Sequence, residues 1–311
     1  MKFFRVFIFL RLFMAVALCG ALVPTSGSAC ACGCGVFEVG THSMFPTHEG
    51  GMAFMEYDYQ NQNRNWHGDS PASADNNDDK KIISNFFTLG YQYLFNRSWG
   101  VMGEIPYTSR YFKTADGAGG VVDFTHSSVG DVRLKGLYTG FSEDLSTGLT
   151  FGVRLPTGGY KYANFDPDVE IGSGSTDLLL GGYHMGRLPK IHDWNWFTNA
   201  EMDLPVLHYS GYVPGTEIDA AAGVYFDNWT VGSVKIAPLT QLIGSHRWSD
   251  SGWQATSEDT GFSRILIAPG IEFDTAKVKL YTDIGFPLYQ YVTGNQLVAS
   301  EYIKLNVSYG F

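Results

Sequence analysis

Beyond its N-terminal segment the sequence has no run of about 18 apolar residues, so no transmembrane helix can be placed. Charge is scarce at 17%, and its excess is negative: 31 acidic against 21 basic residues, formally −10. That sign argues against a nucleic-acid partner. P-loop, zinc-protease and Rossmann patterns are absent. Aromatic residues, by contrast, make up 15% of the chain, and there are 37 glycines. So little charge with so many rings would suit a soluble surface poorly. A length of 311 residues allows one large domain or two ordinary ones.

The N-terminus supplies context. Lys2, Arg5 and Arg11 precede the apolar stretch "LFMAVALCGALV", and the small residues Gly27, Ser28 and Ala29 follow. This reads as a signal peptide over 1–29, with a cut after Ala31 as the alternative. Its removal takes three cations and no anions, so the charge falls from −10 to −13. An exported chain without a spanning helix is either soluble or a membrane barrel, whose alternating strands escape a hydropathy window.

Period-2 alternation recurs along the chain. In "SEYIKLNVSYGF", Ile303, Leu305, Val307, Tyr309 and Phe311 share one face, and Tyr302, Lys304, Asn306 and Ser308 the other. Similar patterns place Leu280, Ile284, Ile265, Trp196, Leu305 and Val307 towards lipid. Twelve strand candidates fall near 49–60, 81–95, 99–112, 125–141, 147–157, 175–186, 194–207, 216–227, 229–243, 261–273, 276–289 and 300–311. Long connections such as "GGYKYANFDPDVEIGSG" alternate with short ones such as "NRS" and "DTA". Outer-membrane barrels sort their connections this way, with short periplasmic turns and longer outer loops. The expected fold is therefore all-β: a single transmembrane antiparallel β-barrel of about 12 strands over 49–311, both ends periplasmic, in the outer membrane of a Gram-negative bacterium. Residues 30–48, Cys-containing and too short for a core of their own, are expected to be periplasmic or to enter the lumen. Pro106, Pro156, Pro205, Pro238 and Pro287 fall on equivalent outward-running strands, which suggests a repeated modification of the outer rim. Ending on an aromatic strand makes sense if the last strand pairs with the first. It also resembles the signal presented to the barrel-assembly machinery, so that machinery and outer-membrane lipid are expected partners.

"RLPTGGY" followed by "IGSGSTDLLLGGY", from Arg154 to Tyr183, resembles segments of the MetA-pathway-of-phenol-degradation family. The resemblance implies an outer-membrane barrel with a channel or uptake role, and it supplies no catalytic residues. Physically, Pro156 and Gly158 end one strand, and Gly172 and Gly174 open the next.

The chemical candidates are few. Cys30, Cys32 and Cys34, with His42, Met44 and His48 close behind, suit a soft metal; a disulfide or a lipidated Cys30 are the alternatives. No other cofactor is expected. His184 lies on an outward face, which invites comparison with an outer-membrane lipid hydrolase, but "GGYHMGRL" lacks that enzyme's segments, and an interfacial anchor is the plainer reading. Inward faces should carry Glu104, Arg133, Lys135, Arg154, Glu201 and Asp203 on the first strands. Lys235, Arg264, Glu272, Lys279, Asp283 and Lys304 continue them on the later ones. Such mixed charges suit a wet lumen or salt-bridged packing. The expected function is a channel or transporter for a small solute, apolar or aromatic, captured by Tyr107, Tyr111, Tyr160, Tyr209, Tyr289 and Tyr291 near the outer mouth or merely girdled by them. A structural or partner-binding barrel is the alternative.

Overall fold

The computed structural model describes residues 45–46 and 49–311. The strands are β1 (Gly50–Gly68), β2 (Ser70–Pro71), β3 (Asp79–Leu94), β4 (Trp99–Ala115), β5 (Val121–Val129), β6 (Val132–Tyr138) and β7 (Thr147–Leu155). They continue as β8 (Ser175–Arg187), β9 (Trp194–His208), β10 (Glu217–Phe226), β11 (Trp229–Val231), β12 (Val234–Arg247), β13 (Phe262–Asp274) and β14 (Val278–Gly310). Eleven of them form one antiparallel circuit, closed where β10 meets β12, while β2, β5 and β11 are attached to it. Among the described residues no helix is long and apolar enough to cross a membrane.

The circuit has twelve passes, because β14 doubles back. Its first arm is antiparallel to β13 over Lys279–Val292, and its second is antiparallel to β1 up to Gly310. The directions around the circuit are consistent only if those two arms run opposite ways. Thr282 Oγ1 donates to Lys304 O across the arms at 3.0 Å, and Gly310 N to Lys277 O at 2.9 Å. The reversal is at Gly294, whose φ of 66° suits a residue without a Cβ. At the other end Phe311 exchanges two backbone hydrogen bonds of 2.9 Å with Gly51, and its ring covers that glycine. The last strand thus pairs with the first, as expected.

The two faces are inverted relative to a soluble protein. Leu89 is 61% exposed, while Lys304 is 2% exposed. Leu134, Ile265, Leu280, Ile284, Leu305 and Val307 face outward with it; Glu56, Asp58, Glu104, Lys135 and Asp283 are buried inside. Alternation is preserved because a one-residue slip would put charges into lipid.

Several expectations need correction. The first strand runs on to Gly68, and β4 and β5 extend over much of the stretch read as a loop near 113–124. These strands form a tall rim, so the long-loop pattern is carried chiefly by 156–174 and 248–261. The five prolines do sit where the ladder is interrupted. Pro106 lies opposite the break between β5 and β6, and Pro205 and Pro287 lie at bulges. Pro156 follows β7, and Pro238 lies just past the last β10–β12 pair, Tyr225 with Leu239. Pro238 is near the short-turn end of its strand, however, so the prolines are not a rim repeat.

β5 is paired by β4 on one edge; among the described residues no strand pairs its other edge, because β7 stops at Leu155. The long-loop half of the wall is therefore open there. Segment 156–174 folds against this side: Tyr162 stacks on His126 of β5 at 4.2 Å, and Phe165 packs edge-on against Phe112 at 5.5 Å. With Ile82, Val169 and Leu297 these rings form a small core inside the barrel.

Candidate functional site

The interior is organised by buried ion pairs. Lys135 Nζ on β6 lies 2.7 Å from Glu201 Oε1 on β9 and 3.4 Å from Glu104 Oε2 on β4. Lys304 Nζ lies 3.0 Å from Glu56 Oε1 and 3.7 Å from Asp58 Oδ1 on β1. Arg154 pairs with Asp203 at 2.7 Å and also with Asp177. Gln241 donates to Asp283 at 2.8 Å, and Arg264 lies 4.1 Å from the centre of the Phe262 ring. Strand alternation brings these charges in, and most meet a partner from a strand across or beside their own; Arg264 also donates to the Tyr302 hydroxyl on β14 at 3.3 Å. Without such partners, burying them would be prohibitive.

Ten of the twelve expected lumen residues thus lie inside. Lys235 and Lys279 do not. Lys235 pairs with Asp227 in a turn, and Lys279 lies 3.9 Å from Asp274 and 4.0 Å from the buried Glu272, both lysines partly exposed. They line the rim at the short-turn end. Sequence reasoning missed Glu56 and Asp58, although the alternation of "FMEYDYQ" carries them. It also missed Arg110, Asp131 and Arg247, whose roles depend on loops that fold back.

Between the ion pairs are two cavities. The one on the long-loop side is about 150 Å³, lined by Asp58, Arg110, Arg154, Asp203, Glu217 and Arg247 among others. The one on the short-turn side is about 80 Å³, lined by Phe45, Met102, Glu104, Lys135, Tyr183 and Glu201 among others. Glu56, Thr88 and Arg133 line both and lie between them.

Segment 156–174 roofs the first cavity with Pro167, Asp168, Glu170 and Ser173. Arg110 Nη1 donates to the carbonyls of Val169 and Glu170 at 2.6 and 2.8 Å. Asp131, at the β5–β6 break, accepts from Gly158 N at 2.9 Å, Ser173 N at 2.7 Å and Ser173 Oγ at 2.6 Å. Gly158 and Gly172 cross in contact: a Cβ on Gly158 would lie 2.8 Å from the Gly172 Cα. The stretch that carries the family resemblance is thus, in large part, a clasp closing this loop. A second roof segment is tied by Tyr212, whose hydroxyl donates to Asp250 at 2.6 Å, with Arg247 paired to the same carboxylate at 2.7 Å.

Glu170 accepts from Tyr162 N at 2.7 Å, and burial pushes its carboxyl up to about 8. Burial also raises Asp166 in the same loop, with Asp78 adding to it. An undocked loop would titrate near the usual carboxylate value of about 4.3. The docked loop therefore holds its protons more tightly, and docking is favoured most below that value and weakens as pH rises through 8. Loop protection from protease should fall between pH 5 and about 9, and Glu170→Gln should flatten that dependence. An unchanged pH profile in Glu170→Gln would contradict this.

Four of the six tyrosines expected near the outer mouth face outward. Tyr107, Tyr209, Tyr289 and Tyr291 are exposed, on the long-loop half of the molecule. These four read as an interfacial belt, while Tyr111 and Tyr160 are half-buried. Trp196 and His184 lie together outside, with centroids 5.0 Å apart, and Thr147 Oγ1 is 2.7 Å from His184 Nδ1. His184 thus sits beside a tryptophan on the outward face. Cys30, Cys32 and Cys34 lie outside the described residues. Within those described, no group of three or more His, Cys, Asp or Glu side chains could hold a metal.

Closed strands, an apolar exterior and a charged interior define a transmembrane barrel of the outer-membrane type. Solved structures agree on the fold. The COG4313 outer membrane channel from Pseudomonas putida F1 superposes with a TM-score of 0.66 at 17% identity, covering 88% of this chain and 100% of that one. The β domain of the Bordetella autotransporter BrkA gives 0.51 at 12% identity, covering 85% and 100%. The chain has no match among family models or curated proteins. A channel and an autotransporter domain share the architecture, so function has to be argued from the lumen.

Proposed function

We propose that this chain is a channel of the Gram-negative outer membrane that passes a small solute with an apolar or aromatic body and a polar group. The observation that carries the reading is the pair of cavities inside one barrel, with Glu56, Thr88 and Arg133 lining both. A barrel serving only as scaffold would gain nothing from leaving space between buried charges, where close packing would strengthen them. The short-turn cavity sets Phe45, Met102, Leu137 and Tyr183 against Glu104, Lys135 and Glu201, so an apolar body and a polar group would each find a wall. The resemblance of Arg154–Tyr183 to the phenol-degradation family is in keeping with a channel or uptake role. The narrow space selects against bulk. In proteoliposomes, L-tyrosine should enter faster than through protein-free vesicles, and raffinose should not. Entry of neither would refute the channel reading in favour of a structural barrel, and equal entry of both would refute selection by size.

A further inference from the structure

The seat of Phe45 has the construction of a ring-binding shelf. Tyr183 on β8 and Phe197 on β9 point into the barrel near its short-turn end, 6% and 1% exposed. Each has a glycine as cross-strand partner: Gly148 for Tyr183 and Gly223 for Phe197. A Cβ on those glycines would lie 2.3 and 2.5 Å from the rings. Both rings therefore lie over bare backbone, which leaves their other surfaces to the interior. The Tyr183 hydroxyl donates to Leu145 O at 3.0 Å, which fixes the ring.

Phe45, outside every strand, uses that surface. Its ring stacks on Tyr183 with centroids 4.4 Å apart and planes 8° from parallel, and meets Phe197 at 6.3 Å and 66°. Phe45 is itself 8% exposed. The cavity beside it, about 80 Å³, is smaller than the roughly 150 Å³ apolar cavity that accommodates benzene. With Phe45 seated, a second ring has no room; with Phe45 withdrawn, its seat and the cavity become continuous.

We propose that the Tyr183–Phe197 shelf is a binding subsite for a planar aromatic ring bearing a hydroxyl, and that Phe45 occupies it as an internal competitor. The solute's ring would take the place of the Phe45 ring on Tyr183. Its hydroxyl would turn to the Glu104, Lys135, Asn199 and Glu201 side of the same cavity, which offers both donors and acceptors. As a transport step the subsite rests on the channel reading above, but its occupancy can be read without flux.

The test is calorimetric titration of the full chain in detergent with phenol and with cyclohexanol, which keeps the hydroxyl and loses the π face. Phe45→Ala should bind phenol about tenfold more tightly than the parent chain, because the competing state is removed. Cyclohexanol should bind more weakly than phenol to both. In the Phe45→Ala background, Tyr183→Ala should lose phenol binding and Tyr183→Phe should keep it, which separates loss of the shelf from loss of the fold. Equal affinity of Phe45→Ala and parent, equal binding of the two alcohols, or retention by Tyr183→Ala would each overturn the subsite. Phenol binding without tyrosine entry into vesicles would overturn the channel reading alone. Entry without phenol binding would overturn the subsite alone.

Discussion

Ile284→Arg should destabilise the barrel by about 2–4 kcal/mol in a lipid-bilayer folding titration, the cost of a guanidinium at the membrane midplane. Ile284 is 41% exposed on the outward face, between Tyr309 and Phe311 at one end and Tyr289 and Tyr291 at the other. Leu280 also faces outward, and the alternation of "KVKLYTDIGF" identifies it as lipid-facing. Its depth was not legible. Gly310 N donates to Lys277 O, which brings the terminal aromatics level with the start of this arm and puts Leu280 near the interface rather than the middle. Leu280→Arg should accordingly cost only about 0–1 kcal/mol. Equal costs at the two positions would show that the arm sits at another depth.

Asp131→Ala should release segment 156–174 and raise solute flux. Asp131 holds both ends of that segment through three donors, at Gly158 N, Ser173 N and Ser173 Oγ. Thr157 supplements it by donating to Gly130 O at 2.8 Å. Losing a carboxylate side chain that accepts from three donors should weaken docking by about 2–4 kcal/mol, after water replaces some of the bonds. Arg110 and the packing of Tyr162, Phe165 and Val169 would still hold the middle of the segment. Limited proteolysis should cut within 156–174 faster in Asp131→Ala than in the parent, and vesicle uptake should rise in parallel. Unchanged cleavage and unchanged uptake would mean that the clasp does not limit passage. Asp131→Asn, which keeps one acceptor oxygen, should fall between.

The difference between what could and could not be read from the residues follows from range. Alternation is local, so it identified the strands, their faces and ten of the twelve interior charges. Lys235 and Lys279 alternate correctly too; only the height of their strands relative to the turns makes them rim residues. The tyrosines were ambiguous for a related reason, because position along a strand is legible while direction beside a bulge is not. Asp131, Arg110 and Arg247 act through segments that return into the barrel, contacts that no period predicts. Phe45 lies outside any periodic segment, and nothing local marks it as a partner for Tyr183, far along the chain.

The central claim is that solute moves down the inside of the barrel from one cavity to the other. Thr88 faces inward on β3 and borders both cavities, whereas its neighbour Leu89 faces outward. The direct measurement is tyrosine uptake into vesicles carrying Thr88→Trp or Leu89→Trp, each verified as folded by its resistance to denaturation. A tryptophan at Thr88 would fill the space between the cavities, so uptake should fall to the protein-free rate, while Leu89→Trp should match the parent. Undiminished uptake in Thr88→Trp would contradict a route through the lumen.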